Sequence, residues 1–320
     1  MKDQFDISIV VLTFNCQETI EKCLASLRAQ SYSNNKIEVI ILDNGSNDGT
    51  IKIIQDNLYS YHFFPHLSIA ELRNKGLELA KAKIVGFVDS DCVIDVNWVK
   101  NAIACIKRES ATVVGYKYHL PPQTTYFERT WYSLSKKVVS DSELIPAGNM
   151  IVVKNDIIKI NGFNKYLPTG EDSDLLQRVR SKGLIVILDS SIINYHYGNA
   201  KTLKEFYIKE LWYGMGVNFS QAIKKLDRPL GLSIFFSLNV IMLIVSVFLK
   251  LYEVTFALFM VSFAICFLSA CNRKYCKKRG GNILYIMLIY VVYFFARFHS
   301  LLYILKFKKY RNVKSDVKSF

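Results

Sequence analysis

Paired thiols are missing from this 320-residue chain: its seven cysteines include no Cys-x-x-Cys and lie mostly in apolar surroundings, so reduced cytosolic thiols are expected. The opening stretch MKDQFDISIVVLTFN is polar and acidic before an apolar run too short for the core of a signal peptide, and no cleavable leader is expected. Acidic residues are scarce at the other end. Residues 226–320 hold 3 Asp and Glu against 14 Lys and Arg, a net +11, whereas residues 1–225 stand at +3. The basic excess thus belongs to one region. With 51% apolar residues the chain is no disordered tail; it can bury one sizeable core and keep length for a second region.

That second region contains the long apolar runs. Leu230–Leu249 is twenty residues without a charge and Val254–Cys271 is eighteen more, each near the length that crosses a bilayer. A buried core helix would rarely run so long. Lys250–Glu253 joins the two runs as a tight hairpin, and basic residues flank them: Lys224, Lys225 and Arg228 before, and the stretch NRKYCKKRGG, 272–281, after. The positive-inside rule puts both flanks, and everything before them, in the cytoplasm. A third run, Ile283–Leu305, carries Arg297 and His299 and ends in the basic tail 306–320. A full span would export that tail, so an interfacial or re-entrant helix is slightly favoured, with Arg297 and His299 snorkelling to a headgroup layer. The expected division is 1–225 for a cytoplasmic domain and 226–320 for the membrane region.

The first two thirds alternates strand and helix. Ile7–Leu12 and Ile37–Leu42 are continuous apolar strands, Tyr61–Phe64 is a shorter one, and Ile84–Val88 is another buried run. Asn15 is placed to cap a helix bearing Ile20, Cys23, Leu24 and Leu27 on one face; Ser46 or Asp48 is placed to cap the next helix, and a third helix is expected over about 68–82. Such alternation predicts an α/β domain with a mainly parallel sheet, and ligands of open sheets bind beyond the carboxyl ends of the strands. Thr13, Asn15, Asp43 and Asp89–Asp91 all fall at such ends.

Two carboxylates two positions apart repel, and burying them is costly without a cation or donors. A hard divalent ion such as Mg²⁺ or Mn²⁺ takes oxygen ligands and bridges to substrate phosphates, which makes Asp89-Ser90-Asp91 a candidate holder of a metal diphosphate. The pattern recurs at Asp172-Ser173-Asp174. That copy opens a helix, where acids favour the dipole on structural grounds alone.

SIVVLTFNCQETIEKCLASLRAQSY, VIILDNGSNDGT, ELRNKGLELAKAKIVGFVDSDCVID and PAGNMIVVKNDIIKINGFNKYLPTGEDSDLLQRVRSKG resemble, in that order, the signature blocks of family 2 glycosyltransferases with the GT-A nucleotide-sugar fold. The resemblance covers roughly residues 7 to 215. It implies that Thr13 and Asn15 line the nucleoside, that Asp43 accepts a hydrogen bond from the base, and that Arg73 donates near the nucleotide. It further implies that Asp89, with Ser90 beside it, meets the ribose, that Asp91 ligates the metal, and that His196 stands near the diphosphate or the metal. Asp172 is implied as the base in a single inverting displacement, with Glu171 beside it on the acceptor side. Gly148 and Asn149, in the stretch PAGNM, and Trp212 are implied on the acceptor side as well. Asp172 shares a helical face with Leu175, Leu176 and Val179, whereas Asp174 and Arg178 are spaced to pair.

Processive relatives carry a Gln-x-x-Arg-Trp block after the base; here no Arg-Trp pair exists, and the corresponding stretch is YIKELWYGMG. Addition of one or a few sugars is expected, from a UDP-sugar to a lipid-linked glycan such as a polyprenyl-diphosphate saccharide of a surface polysaccharide. Other polysaccharide-assembly enzymes are expected as partners. Transfer directly to polyprenyl phosphate or diacylglycerol is the second reading, and an inactive membrane scaffold the third. Nucleic acid fits poorly, because the positive charge hugs the apolar runs.

Overall fold

The structure is a computed structural model that describes residues 4–140, 144–167, 169–215, 228–271 and 282–307. By contacts the chain divides into two compact units, Met1–Thr124 with Val139–Asn199, and Thr125–Val138 with Ala200–Phe320. The second unit therefore gathers two segments that lie ahead of the basic, apolar region: α5 (Tyr126–Ser140), largely within it, and α8 (Leu203–Met215).

The first unit is built on a seven-stranded sheet. Its strands are β1 (Ile7–Thr13), β2 (Ile37–Asp43), β3 (Tyr61–Phe63), β4 (Ile84–Asp89), β6 (Val113–Gly115), β7 (Asn149–Val153) and β8 (Val186–Leu188). The order across the sheet is β3-β2-β1-β4-β7-β6-β8. Pairing is parallel except where β7 runs against β4 and β6. A small antiparallel pair, β5 (Cys92–Ile94) with β9 (Asn194–His196), stands apart from it.

Both faces of the sheet are covered, which is why its strands read as unbroken apolar runs. Ile7, Ile9 and Val11 of β1 pack with Cys23, Leu24 and Leu27 of α1 (Ile20–Arg28), Ile54 of α2 (Thr50–Asp56), and Trp98, Val99 and Ala102 of α4 (Trp98–Glu109). Val10 faces the other way with Leu72 and Leu77 of α3 (Ile69–Leu79), Ile157 of α6 (Lys154–Lys159), and Leu175, Leu176 and Val179 of α7 (Glu171–Ser181). The period-two alternation of β1 thus divides its side chains between two helical layers. Ser68 and Glu71 close a reciprocal capping box on α3.

Asn15 caps no helix, contrary to the sequence expectation. α1 begins only at Ile20, and Asn15 sits in the left-handed region at φ 46° with its side chain turned to the next loop, where its Oδ1 accepts from the Asn47 amide at 2.9 Å. The capping position of α2 is Gly49, which makes no side-chain capping bond; Asp48, one residue ahead, accepts from the Thr50 amide at 3.0 Å, and Ser46 Oγ bonds Asp43 instead.

The second unit holds three helices long and apolar enough to cross a membrane, spanning Pro229–Phe248, Tyr252–Cys271 and Ile283–Tyr303. They belong to α9 (Arg228–Phe248), α10 (Tyr252–Cys271) and α11 (Ile283–Phe307). Inside the unit Asn239 Oδ1 accepts from Ser262 Oγ at 2.8 Å, an inter-helix bond suited to a medium without water. Arg297 Nη2 lies 2.7 Å from Glu210 Oε2 on α8. His299 likewise meets Tyr207 Oη at 2.6 Å. The partners lie about 90 residues upstream, a pairing that local sequence does not disclose. Lys224, Lys225, the basic stretch 272–281 and the tail from 308 lie outside the described residues.

Candidate active site

Register brings the candidate residues together. Thr13 stands opposite Asp43 across β1 and β2, and Leu12 opposite Asp89 across β1 and β4. Asp43 and Asp89 are therefore two strand spacings apart, on the order of 10 Å, at the same end of the sheet. Antiparallel β7 then runs back against β4, with Asn149 opposite Val88. This brings Gly148 to Asp89, where a Cβ on the glycine would overlap both Asp89 Oδ2 and Tyr118 Oη. Any larger residue there would have to displace both side chains.

Beyond β4 the chain turns at Ser90 and Asp91 into β5, and the pairing of Cys92 with His196 lays β9 alongside. His196 Nε2 comes within 3.4 Å of Asp91 Oδ2, and the Asp91 carbonyl accepts from the Tyr197 amide at 2.8 Å. Gly198 lies so close that a Cβ there would overlap Asp91 Oδ2. Ligand atoms of Asp89, Asp91 and Cys92 all lie within 4.8 Å of one another. Cys92 is fully buried, and burial, then the Asp91 and Asp89 carboxylates, push its thiol well above its ordinary range. The two half-buried carboxylates remain as a hard oxygen pair, which fits Mg²⁺ or Mn²⁺ by donor chemistry.

Arg73 ties this pair to α7. Buried at 5% exposure, it places Nη2 3.2 Å from Asp89 Oδ1 and Nη1 against Glu171 Oε1, in an ion pair that spans 98 positions of sequence. Its guanidinium also lies over the Phe163 ring at 5.8 Å. Glu171 is 8% exposed, and burial raises its carboxyl above the usual range against the opposing pull of Arg73. Asp172 is the more open of the two acids, half-buried, with Oδ1 accepting from the Ser173 amide at 2.7 Å. Asp174 pairs with Arg178 at 2.7 Å, and Arg178, in the last turn of α7, also donates to the carbonyls of Ile160 and Gly162, tying the helix to the turn after α6.

Two residues expected to touch ligand have their side chains committed elsewhere. Asp43 is 0% exposed. Its Oδ1 accepts from the Gly45 and Ser46 amides at 2.9 and 2.8 Å, its Oδ2 from Thr13 Oγ1 and Ser46 Oγ at 2.9 and 2.6 Å, so both carboxylate oxygens are saturated. It holds together the loop that follows β2. Asn149 is also 0% exposed, accepting from Trp98 Nε1 at 2.7 Å and donating to the carbonyls of Tyr116 and Ile192. Trp212 lies on α8 in the second unit, its ring 5.2 Å from that of Tyr213.

One residue at the centre escapes sequence reasoning. Tyr118 donates from its hydroxyl to Asp89 Oδ2 at 2.8 Å and stacks its ring on His196, centroids 4.6 Å apart. No motif marks it, because its partners come from two other segments.

Residues 8–158 match the family model described as glycosyl transferase family 2. Among curated proteins, glycosyltransferase AglE of Haloferax volcanii is 26% identical over 221 residues, 66% of this chain and 72% of AglE. The glucosyltransferase WfaP of Escherichia coli, named for UDP-Glc and an α-D-GlcNAc-diphosphoundecaprenol, is 29% identical over 118 residues, 36% of this chain and 46% of WfaP. The chain spans about a third of the length of two other relatives, EpsH of Bacillus subtilis (32%) and GlyG of Streptococcus pneumoniae (39%). Among solved structures, the mannosyltransferase PcManGT from Pyrobaculum calidifontis, in complex with GDP-Man and Mn²⁺, shares the fold. Its TM-score is 0.64 at 14% identity, over 95% of this chain and 88% of that one. Residues 8–158 thus form a glycosyl transferase family 2 domain with the GT-A fold, its carboxylates at the strand ends, and three apolar helices follow it in the chain.

Proposed function

We propose that this enzyme transfers a sugar with inversion from a UDP-sugar to a membrane-associated acceptor, a polyprenyl-diphosphate-linked saccharide of a surface polysaccharide. The observation that carries the chemistry is the Arg73 bridge, which joins the Asp89 carboxylate to the N-terminal turn of α7, where Asp172 stands beside Glu171. The UDP donor and diphosphate-linked acceptor draw support from the printed name of WfaP, and the membrane setting from three apolar helices on the same chain.

Asp89 and Asp91 would hold a divalent cation together with the donor diphosphate. When bound, that cation offsets the negative charge that gathers on the departing nucleoside diphosphate. Asp172 acts as the base: it takes the proton from the acceptor hydroxyl as that oxygen bonds to the anomeric carbon. The bond from that carbon to the diphosphate oxygen breaks on the opposite face, and UDP leaves with the electron pair. Asp172 is better suited than Glu171, whose carboxylate is held by Arg73. The basic region, net +11 over residues 226–320, favours a cytoplasmic face against anionic lipid, with the domain from the start of the chain to 225 on that side.

The test is transfer by the full chain in lipid nanodiscs, offered labelled UDP-sugars, Mn²⁺ and three acceptors: a polyprenyl-diphosphate saccharide, polyprenyl phosphate and diacylglycerol. Label is expected on the first, and its loss in EDTA and return with Mn²⁺ are expected with it. Label confined to polyprenyl phosphate or diacylglycerol would replace the acceptor assignment, and no UDP release with any set would leave a scaffold.

A further inference from the structure

We propose that Tyr118 is a positioning residue, one strut that sets both arms of the carboxylate pair before a divalent cation and a nucleoside diphosphate arrive. The inference rests on the metal reading above. Asp89 and Asp91 enter the site from different directions, the first at the end of a sheet strand and the second at the mouth of the β5 and β9 pair. Left alone, two like charges this close would swing apart. Something must fix their spacing, and Tyr118 touches both sides of the problem. Its hydroxyl holds Asp89 Oδ2 at 2.8 Å, while its ring lies nearly parallel, at 15°, on the imidazole that faces Asp91 Oδ2.

Tyr118 is itself well anchored. The next residue, His119, donates its amide to the Asn194 carbonyl at 2.8 Å and accepts from the His196 amide at 3.1 Å, so the strut is bonded into β9 at the point where His196 projects. Gly148 and Gly198 also lie close by: a Cβ on either would overlap Asp89 Oδ2 or Asp91 Oδ2 respectively. Hydrogen bonds and stacking from outside a metal's own ligands orient those ligands and cost roughly 10–100-fold in metal affinity when removed.

The experiment is Mn²⁺ binding, followed by the free-ion electron paramagnetic resonance signal, to the full chain in detergent with saturating UDP and no acceptor. Tyr118→Phe keeps the ring stack and loses the hydroxyl; Tyr118→Leu loses both. The wild-type chain is expected to bind Mn²⁺, Tyr118→Phe to weaken it roughly 10-fold and Tyr118→Leu towards 100-fold, with the thermal midpoint without Mn²⁺ unchanged for Tyr118→Phe. Wild-type binding with an unaltered Tyr118→Phe dissociation constant would overturn the strut and leave the metal reading standing, whatever happens to turnover. A fall in thermal midpoint at unchanged Mn²⁺ affinity would show a packing role instead and overturn it too. No Mn²⁺ binding by the wild-type chain would overturn the metal reading and this inference together.

Discussion

Replacing Arg73 by Met tests how the carboxylate pair is joined to α7. Arg73 is 5% exposed and contacts two acids of very different setting: the Glu171 side chain at 10% and the Asp89 side chain at 32%. Losing the cation leaves Glu171 charged and almost buried, which costs about 3–5 kcal/mol for a buried pair with one partner removed. The more open Asp89 contact adds at most about 1 kcal/mol. At about 2–4 °C per kcal/mol for a domain of this size, the melting midpoint of the first unit should fall by roughly 6–24 °C. Arg73→Met with Glu171→Gln removes the stranded charge as well, so the double variant should recover about 2–3 kcal/mol of the loss. Differential scanning fluorimetry of the four proteins in one detergent gives the cycle. A single-variant loss under about 1 kcal/mol, or losses that simply add, would refute the bridge.

Asn149→Ala leaves Trp98 Nε1 and the carbonyls of Tyr116 and Ile192 without partners. It should cost about 1–3 kcal/mol in a melt while acceptor KM stays within a few-fold; a raised KM at unchanged stability would restore an acceptor contact. Gly198→Ala forces a Cβ against Asp91 Oδ2 and should weaken Mn²⁺ binding in the presence of UDP by at least roughly 10-fold, read by calorimetry. Unchanged affinity would show that Asp91 has room to move. Glu171 titrates in the fold above its free value of 4.5, so the folded state binds the extra proton and its contribution is lost as pH rises through that window. Wild-type stability should therefore fall relative to Glu171→Gln as pH climbs from about 4.5, and parallel melting curves would contradict the burial argument.

The parts of the fold that were legible in sequence are those written in local pattern. β1, β2 and β4 show as apolar runs because each is buried on both faces, and each leads to an acid or hydroxyl at the sheet edge. The pairing of Asp174 with Arg178 follows from helical spacing alone. What was not legible depends on partners far away in sequence. The saturation of Asp43 needs the Thr13 hydroxyl from another strand, and Asn149 is claimed by Trp98, 51 positions upstream. The antiparallel course of β7, which brings Gly148 onto Asp89, has no signature in a strand that is apolar on both faces. Helix α5 lies in a stretch whose path the sequence did not disclose, and the Glu210 and Arg297 pair looks from sequence like two unrelated charges. The resemblance named candidate residues one by one; the structure shows Asp43 and Asn149 bonded within the fold, Arg73 bridging Asp89 and Glu171, and Asp172 more open than Glu171.

The account rests most directly on Asp172 as the group that takes the acceptor proton next to an intact donor site. Asp172→Asn, compared with wild type for single-turnover transfer and for UDP affinity in Mn²⁺, is expected to lose on the order of 10²–10⁴-fold in rate while UDP binds with the wild-type dissociation constant. Transfer within a few-fold of wild type, or loss of UDP binding in step with rate, would contradict it.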